Sequence, residues 1–316
     1  MNAPELPVGR LAPSPSGRLH LGHARTFVLA WVDARQRGGG MRLRLEDLDR
    51  SRCRPEHIRR SLLDLEWLGL DWDGEPLYQS QRLDALRDAA DRLERMGAAY
   101  RCVCTRADLE QAAQAPQRGV TELRYPGTCR ARALTERSTE ALTPGALRMR
   151  VPEGRLSFVD GLAGPQSVDV ASEVGDFVIL SRSRLPAYQL AVVVDDAEQG
   201  VNEVFRGDDL LSSTARQLLV QRALGLNAPQ WFHIPLVLDA GGRRLAKRAD
   251  DLSLETIREA GVDARALVAW VGRSAGLDVP DRLTARELCT TYDRTQLSRS
   301  PVLLSDAEIA ALMTSR

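Results

Sequence analysis

The chain reads as an α/β protein built on a parallel sheet, with an insertion splitting the sheet and helices closing the chain. Three observations predict this. An apolar strand, an amphipathic helix and a second strand open the sequence, and a parallel strand pair needs such a crossover. The texture changes near residue 100, where cysteines at 102, 104 and 129 arrive with frequent prolines and glycines. From residue 250 onward apolar positions recur with helical spacing. The implied units are 1–100 (first half of the sheet domain), 101–187 (insertion), 188–249 (second half) and 250–316 (helical region). A chain of 316 residues is long enough for all four.

Each element follows from local chemistry. Residues 8–12 form a buried strand that stops at Pro13, and 13–17 (Pro-Ser-Pro-Ser-Gly) is a turn. Helical spacing runs from Gly22 to about Gly38. Residues 41–45 alternate apolar side chains with arginine and read as the next strand, ending in Glu46-Asp47. Helices follow over 55–68, with proline in the first turn, and over 80–96, stopped by Gly97. In the insertion, 147–151 and 155–159 read as short antiparallel strands. The sheet resumes with strands 188–194 and 201–205, a helix over 211–224 and a strand over 234–238. Helices at 254–260, 264–275, 284–292 and 306–313 complete the chain, the last opened by a capping-box pair, Ser305 and Glu308.

Composition excludes several classes. Hydrophobic residues at 43% and charged residues at 27% match a soluble globular chain, so disorder is excluded. No apolar run approaches the ~20 residues of a membrane helix. Residues 1–10 lack a secretory pattern, and five unevenly placed cysteines make no disulfide framework. A cytoplasmic protein with no membrane partner, and a monomer, is expected. Lys+Arg 43 against Asp+Glu 43 gives zero net charge, so any RNA binding must use a local basic face. The positive charge is almost all arginine: Lys247 stands alone beside 42 arginines (43 less 1). Arginine cannot replace lysine where a compact ammonium must reach into a site.

The sharpest motif lies between the first strand and its helix, Ala12-Pro13-Ser14-Pro15-Ser16-Gly17-Arg18-Leu19-His20-Leu21-Gly22-His23. Ligands bind at that edge of an α/β sheet, and a helix N-terminus offers free N–H groups to an anion. His20 and His23 can both donate to a triphosphate, and Gly22 leaves room for a base or ribose. A dinucleotide Gly-x-Gly-x-x-Gly is absent here, which argues against a nicotinamide oxidoreductase.

This motif resembles the HIGH region of class I aminoacyl-tRNA synthetases in their glutamyl form. Arg244-Leu245-Ala246-Lys247-Arg248 resembles the KMSKS loop of the same class, with Lys247 at the second, ATP-contacting lysine and Arg244 and Ala246 as departures. The resemblance implies a Rossmann-like class I catalytic domain with a zinc-binding insertion and a short C-terminal helical region. It implies ATP, with magnesium, at His20, Gly22, His23 and Lys247, of which the two histidines and Lys247 serve catalysis. For L-glutamate it implies Arg10 on the side-chain carboxylate, Glu46 on the ammonium group, and Leu11, Ala12, Pro13, Ser14, Tyr188 and Arg206 completing the pocket.

Cys102-x-Cys104 with Tyr125-x-x-x-Cys129 leaves two readings open on spacing alone, a zinc site or free buried cysteines. The resemblance implies one structural zinc on these four residues. Only 69 residues (316 less 247) follow Lys247, fewer than a helical anticodon-binding region needs. The resemblance is therefore to a short glutamyl branch that attaches glutamate to the queuosine base in the anticodon loop of tRNA(Asp). Arg130, Arg132, Arg182 and Arg184 are expected on phosphates of that anticodon arm. Two other readings stay open: charging of a tRNA 3′ end with a partner's help, and an inactive tRNA-binding module.

Overall fold

A computed structural model describes residues 6–105, 107–108, 125–130, 145–243 and 252–315. The chain opens with β1 (Val8–Leu11), α1 (Leu21–Gln36), β2 (Gly40–Leu45), α2 (Pro55–Trp67), β3 (Leu77–Tyr78) and α3 (Leu83–Arg95). β1 pairs in parallel with β2, Val8 opposite Gly40 and Leu11 opposite Leu43, and β2 pairs in parallel with β3. Next come β4 (Ala99–Cys102), β5 (Ala146–Met149), β6 (Arg155–Asp160), β7 (Gly164–Asp169) and β8 (Val178–Leu180). β4, β5 and β8 form a separate antiparallel sheet, while β6 and β7 form a hairpin.

The second half supplies α4 (Tyr188–Glu198), β9 (Glu203–Gly207), α5 (Ser213–Leu224), β10 (Gln230–Ile234) and β11 (Val237–Asp239). β9 runs beside β1, where Asn202 N–H donates to Val8 O at 3.1 Å, and pairs in parallel with β10. β10 joins the β6–β7 hairpin through Trp231 and Asp160. The central order β3-β2-β1-β9-β10 puts the topological switch between β1 and β9, where open α/β sheets bind ligands. The end of the chain carries α6 (Leu254–Glu259), α7 (Ala264–Ser274), α8 (Ala285–Thr291), β12 (Val302–Leu304) and α9 (Asp306–Met313). The Ser305–Glu308 capping box forms as its spacing predicts.

The core divides around the sheet. Side chains of β1, β2, α1 and α7 fill one large cluster, and those of α3, β5, β8, α4 and α5 fill a second. Among the described residues no helix is long and apolar enough to cross a membrane.

Two expectations are corrected. Residues 188–194 belong to the helix α4, not to a strand. Its middle is buried on all sides, Leu190 to Val193 by core and Asp195 and Asp196 by arginines, so the run lacks the polar face that marks a helix. Pro186 and an extended Ala187 then set the helix start beside the cleft. The strand expected over 234–238 is interrupted after Ile234: Pro235 cannot donate to a ladder, and its carbonyl is taken by Arg25 Nη1 at 2.6 Å.

A candidate active site at the carboxyl edge of the sheet

A cleft of about 490 Å³ opens at the switch point between β1 and β9. Arg10, Ala12, Ser14, His20, Gly22, His23, Glu46, Tyr188 and Arg206 all line it. Leu11 and Pro13 do not. The Leu11 side chain lies in the core, and the Pro13 carbonyl accepts from Glu46 N–H at 3.0 Å, fixing the end of β2.

The two histidines are locked by the helix they start. His20 caps α1: its Nδ1 accepts from Gly22 N–H at 3.1 Å, while His23 Nδ1 accepts from His20 N–H at 3.1 Å. With both Nδ1 lone pairs committed, the neutral rings carry their proton on Nε2. Burial lowers both pKa values, that of His23 to about 3. The motif therefore presents neutral Nε2–H donors at the positive end of a helix dipole. Gly22 suits this cap, since a Cβ there would stand 3.0 Å from His20 Cε1 and press on the capping ring.

Opposite them lies a ring of buried charge. Arg10 is 7% exposed and, among the described residues, donates one bond, Nη1 to Phe205 O at 2.7 Å, while its Nε has no hydrogen-bond partner. The nearest carboxylate, Asp196, stands 3.8 Å from that Nε and is committed to Arg44 Nη1 at 2.5 Å. Arg44 Nη2 reaches Glu46 Oε1 at 3.2 Å, and Ser14 Oγ donates to Glu46 Oε2 at 3.0 Å. Burial lowers the pKa of Arg10 and raises that of Tyr188, and it takes Arg206 to about 10, which leaves Arg206 charged near pH 7. Arg206 is held from several sides, by His233 Nε2 at 2.9 Å, Gln217 Oε1 at 2.8 Å and Thr214 Oγ1 at 2.9 Å. A cation with unused donors and a fixed carboxylate thus line the same cleft. An amphoteric ligand carries the two complementary charges.

The cysteines converge away from the cleft. Cys102, Cys104 and Cys129 bring their sulfurs within 4.8 Å of one another, with Cys104 and Cys129 at 3.5 Å. The Tyr125 hydroxyl lies 3.5 Å from Cys102 Sγ and 3.8 Å from Cys104 Sγ. Thiolates bound to one zinc at about 2.3 Å stand roughly 3.8 Å apart, so the set fits a tetrahedral ion. It could hold a metal.

Lys247, Arg244, Ala246 and Arg248 lie outside the described residues, as does Arg132. The other arginines expected on RNA phosphates are engaged within the protein. Arg130 pairs with Asp176 at 2.8 Å, Arg182 donates to Val103 O at 2.6 Å, and Arg184 holds Asp91 at 2.8 Å. Each keeps further N–H donors beyond these contacts, and the Arg130 and Arg184 side chains are part-exposed and Arg182 is exposed. The sequence reading missed Arg44, Asp196, His233 and Asp160. Only Arg44 carried a signal, as a charge inside a strand flanked by helices.

Comparison with known proteins agrees with this geometry. Residues 8–309 match the family model of tRNA synthetases class I (E and Q), catalytic domain. A glutamyl-Q tRNA(Asp) synthetase of Symbiobacterium thermophilum is 45% identical, over 96% of this chain and 98% of its own length. One from Nitratidesulfovibrio vulgaris is 46% identical, over 86% and 87%. In three dimensions the chain superposes with a TM-score of 0.82 on a glutamate tRNA ligase of Elizabethkingia meningosepticum solved in complex with its amino acid. That pair is 25% identical and covers 98% of this chain and 69% of the other.

Proposed function

The chain belongs to the class I tRNA synthetases of the E and Q type, in the glutamyl-Q tRNA(Asp) branch, and on that premise we propose how its cleft works. The enzyme is a ligase that activates L-glutamate with ATP and attaches the glutamate to queuosine in tRNA(Asp). An α-carboxylate oxygen of glutamate attacks the α-phosphorus of ATP, and the bond to pyrophosphate breaks. A cyclopentenediol hydroxyl of queuosine then attacks the acyl carbon of glutamyl-adenylate, and AMP leaves with the bonding pair.

The observation that carries the reading is the cleft itself, lined by the buried Arg10, partly unpaired among the described residues, and by Glu46. Arg10 takes the substrate side-chain carboxylate, with Tyr188 and Arg206 behind it. Glu46 takes the ammonium group, and Ser14 orients Glu46. The Nε2–H groups of His20 and His23 donate to the phosphates, where charge grows as pyrophosphate departs. Lys247 adds an ammonium to the same phosphates, and magnesium travels with ATP, held mostly by phosphate oxygens and water. Cys102, Cys104, Cys129 and Tyr125 would hold a zinc ion, which would supply a structural cross-link of the insertion. The working compartment is the cytoplasm.

The RNA substrate is the anticodon arm, whose unpaired bases can be splayed into a pocket. Labelled glutamate offered with tRNA(Asp) carrying queuosine, or with guanosine at that position, tests the reading. Label should appear on the queuosine form alone. Equal labelling of both, or label at the 3′ end, overturns it.

A further inference from the structure

Arg206 is the one arginine of the cleft whose guanidinium is aimed by a buried relay. Its Nε–H donates to His233 Nε2 at 2.9 Å, so that nitrogen must carry a lone pair. The other ring nitrogen, Nδ1, lies 2.6 Å from Asp160 Oδ2 and must carry the proton. Both side chains are fully buried, with 0% exposure each. Asp160 is itself fixed: its Oδ1 accepts from the N–H of Ala163 at 2.8 Å, Leu162 at 3.0 Å and His233 at 3.2 Å. Desolvation lowers the pKa of His233 even with Asp160 beside it, which keeps the acceptor free.

We infer that Asp160 and His233 are positioning residues for amino-acid recognition, holding the imidazole in the Nδ1–H tautomer so that Arg206, whose Nη2 is also held by Leu210 O at 3.2 Å, stays fixed in the wall of the cleft. Thr214 Oγ1 also lies 3.3 Å from His233 Nε2 and accepts from Arg206 Nη2 at 2.9 Å, so in this tautomer its hydroxyl proton is free to point at the same lone pair. The Trp231 ring backs the Arg206 guanidinium at 4.5 Å, and Gln217 holds Nη1 while donating to Gln189 at 2.9 Å. A flipped tautomer would set Nε2–H against Arg206 Nε–H, and the guanidinium would have to turn away. The inference rests on Arg206 belonging to the glutamate pocket.

The test is Asp160→Asn, which keeps the shape but offers an N–H to His233 Nδ1 and so favours the wrong tautomer, a substitution whose logic is known from catalytic triads. Glutamate-dependent ATP–pyrophosphate exchange should show the KM for glutamate raised about tenfold or more, the loss of one hydrogen bond to a charged group. The KM for ATP should stay within about twofold, a split that general destabilisation would not produce. Nitrogen-15 NMR of histidine-labelled wild-type protein reads the tautomer directly, with four histidines to assign. It keeps the inference open to refutation if the variant does not fold. An Nε2–H tautomer at His233, or an Asp160→Asn enzyme with unchanged glutamate KM, overturns the relay. Arg206→Ala with unchanged glutamate KM would instead remove Arg206 from the pocket, which separates the two failures.

Discussion

Arg10→Ala should abolish glutamate recognition while leaving the fold intact. The guanidinium is nearly buried and, among the described residues, makes one hydrogen bond, to Phe205 O, and leaves its Nε without a partner. A carboxylate arriving there gains two charge-assisted bonds, each worth about 1.5–3 kcal/mol. Losing both costs on the order of 3–6 kcal/mol, or roughly 10²–10⁴ in kcat/KM for glutamate at 1.4 kcal/mol per decade. Stability should move the other way or not at all. Burial already lowers the Arg10 pKa, and Asp196 keeps its bond to Arg44 when Arg10 is gone, so no charge is orphaned. Pyrophosphate exchange at varied glutamate and fixed ATP measures the first effect, and a thermal melt measures the second. An exchange kcat/KM within about threefold of wild type would move the carboxylate site elsewhere. A collapse of Tm along with activity would make Arg10 a folding residue.

The remaining expectations concern the metal, the phosphates and pH. Metal analysis of protein purified without added zinc should find about one equivalent, and Cys104→Ser should lose it to a chelator with a fall in Tm. Fully folded, metal-free wild type would refute the site. Lys247→Ala and Lys247→Arg should each lower exchange by about 10²–10³, since neither places an ammonium on the phosphates; an arginine variant at wild-type rate would show that charge alone suffices. His23 has a native pKa of about 3 against an ordinary 6.5, so the unfolded chain binds a proton that the native chain refuses. Stability from this group should be full above about pH 6.5 and fall steadily toward pH 3. Urea midpoints at pH 5 and 7 should differ less in His23→Gln than in wild type, and an equal difference would count against the assignment.

The sequence made the sheet and the cleft legible to different degrees. The alternation of strand, helix and strand, the Ser305 cap and the position of the histidine motif depend on neighbours in the chain, and they read correctly. The pairing of His20 and His23 through the cap of α1 is local too, but it is visible only once the helix start is fixed. Residues 188–194 misled because burial on every face erases the periodicity that separates helix from strand. Arg44 alternates with apolar side chains along its strand, yet it is fully buried, because α4 brings Asp196 against it. Asp160 and His233 are 73 residues apart, and only the register of β6 against β10 brings them together. No spacing rule reaches that far.

Charge balance ties these long-range contacts to selectivity. Arg44 is matched by Asp196 and Glu46, and Arg206 is matched by Asp160 through a neutral imidazole. Arg10 shares Asp196 only at 3.8 Å and keeps unused capacity for an anion, while Glu46 keeps capacity for a cation. In the glutamyl-adenylate the amino acid offers the cleft an ammonium and a side-chain carboxylate, whose charges cancel. Glutamine would bring the ammonium alone, leave Arg10 desolvated without a carboxylate, and add an uncompensated positive charge to a buried site. An amide oxygen answers a guanidinium poorly compared with a carboxylate, and its NH₂ would face another donor. With Arg10 in the proposed role, rejection of glutamine needs no steric gate. It follows from holding Arg10 buried and partly unpaired, a state that β1, Phe205 and the Arg44–Asp196 pair together maintain.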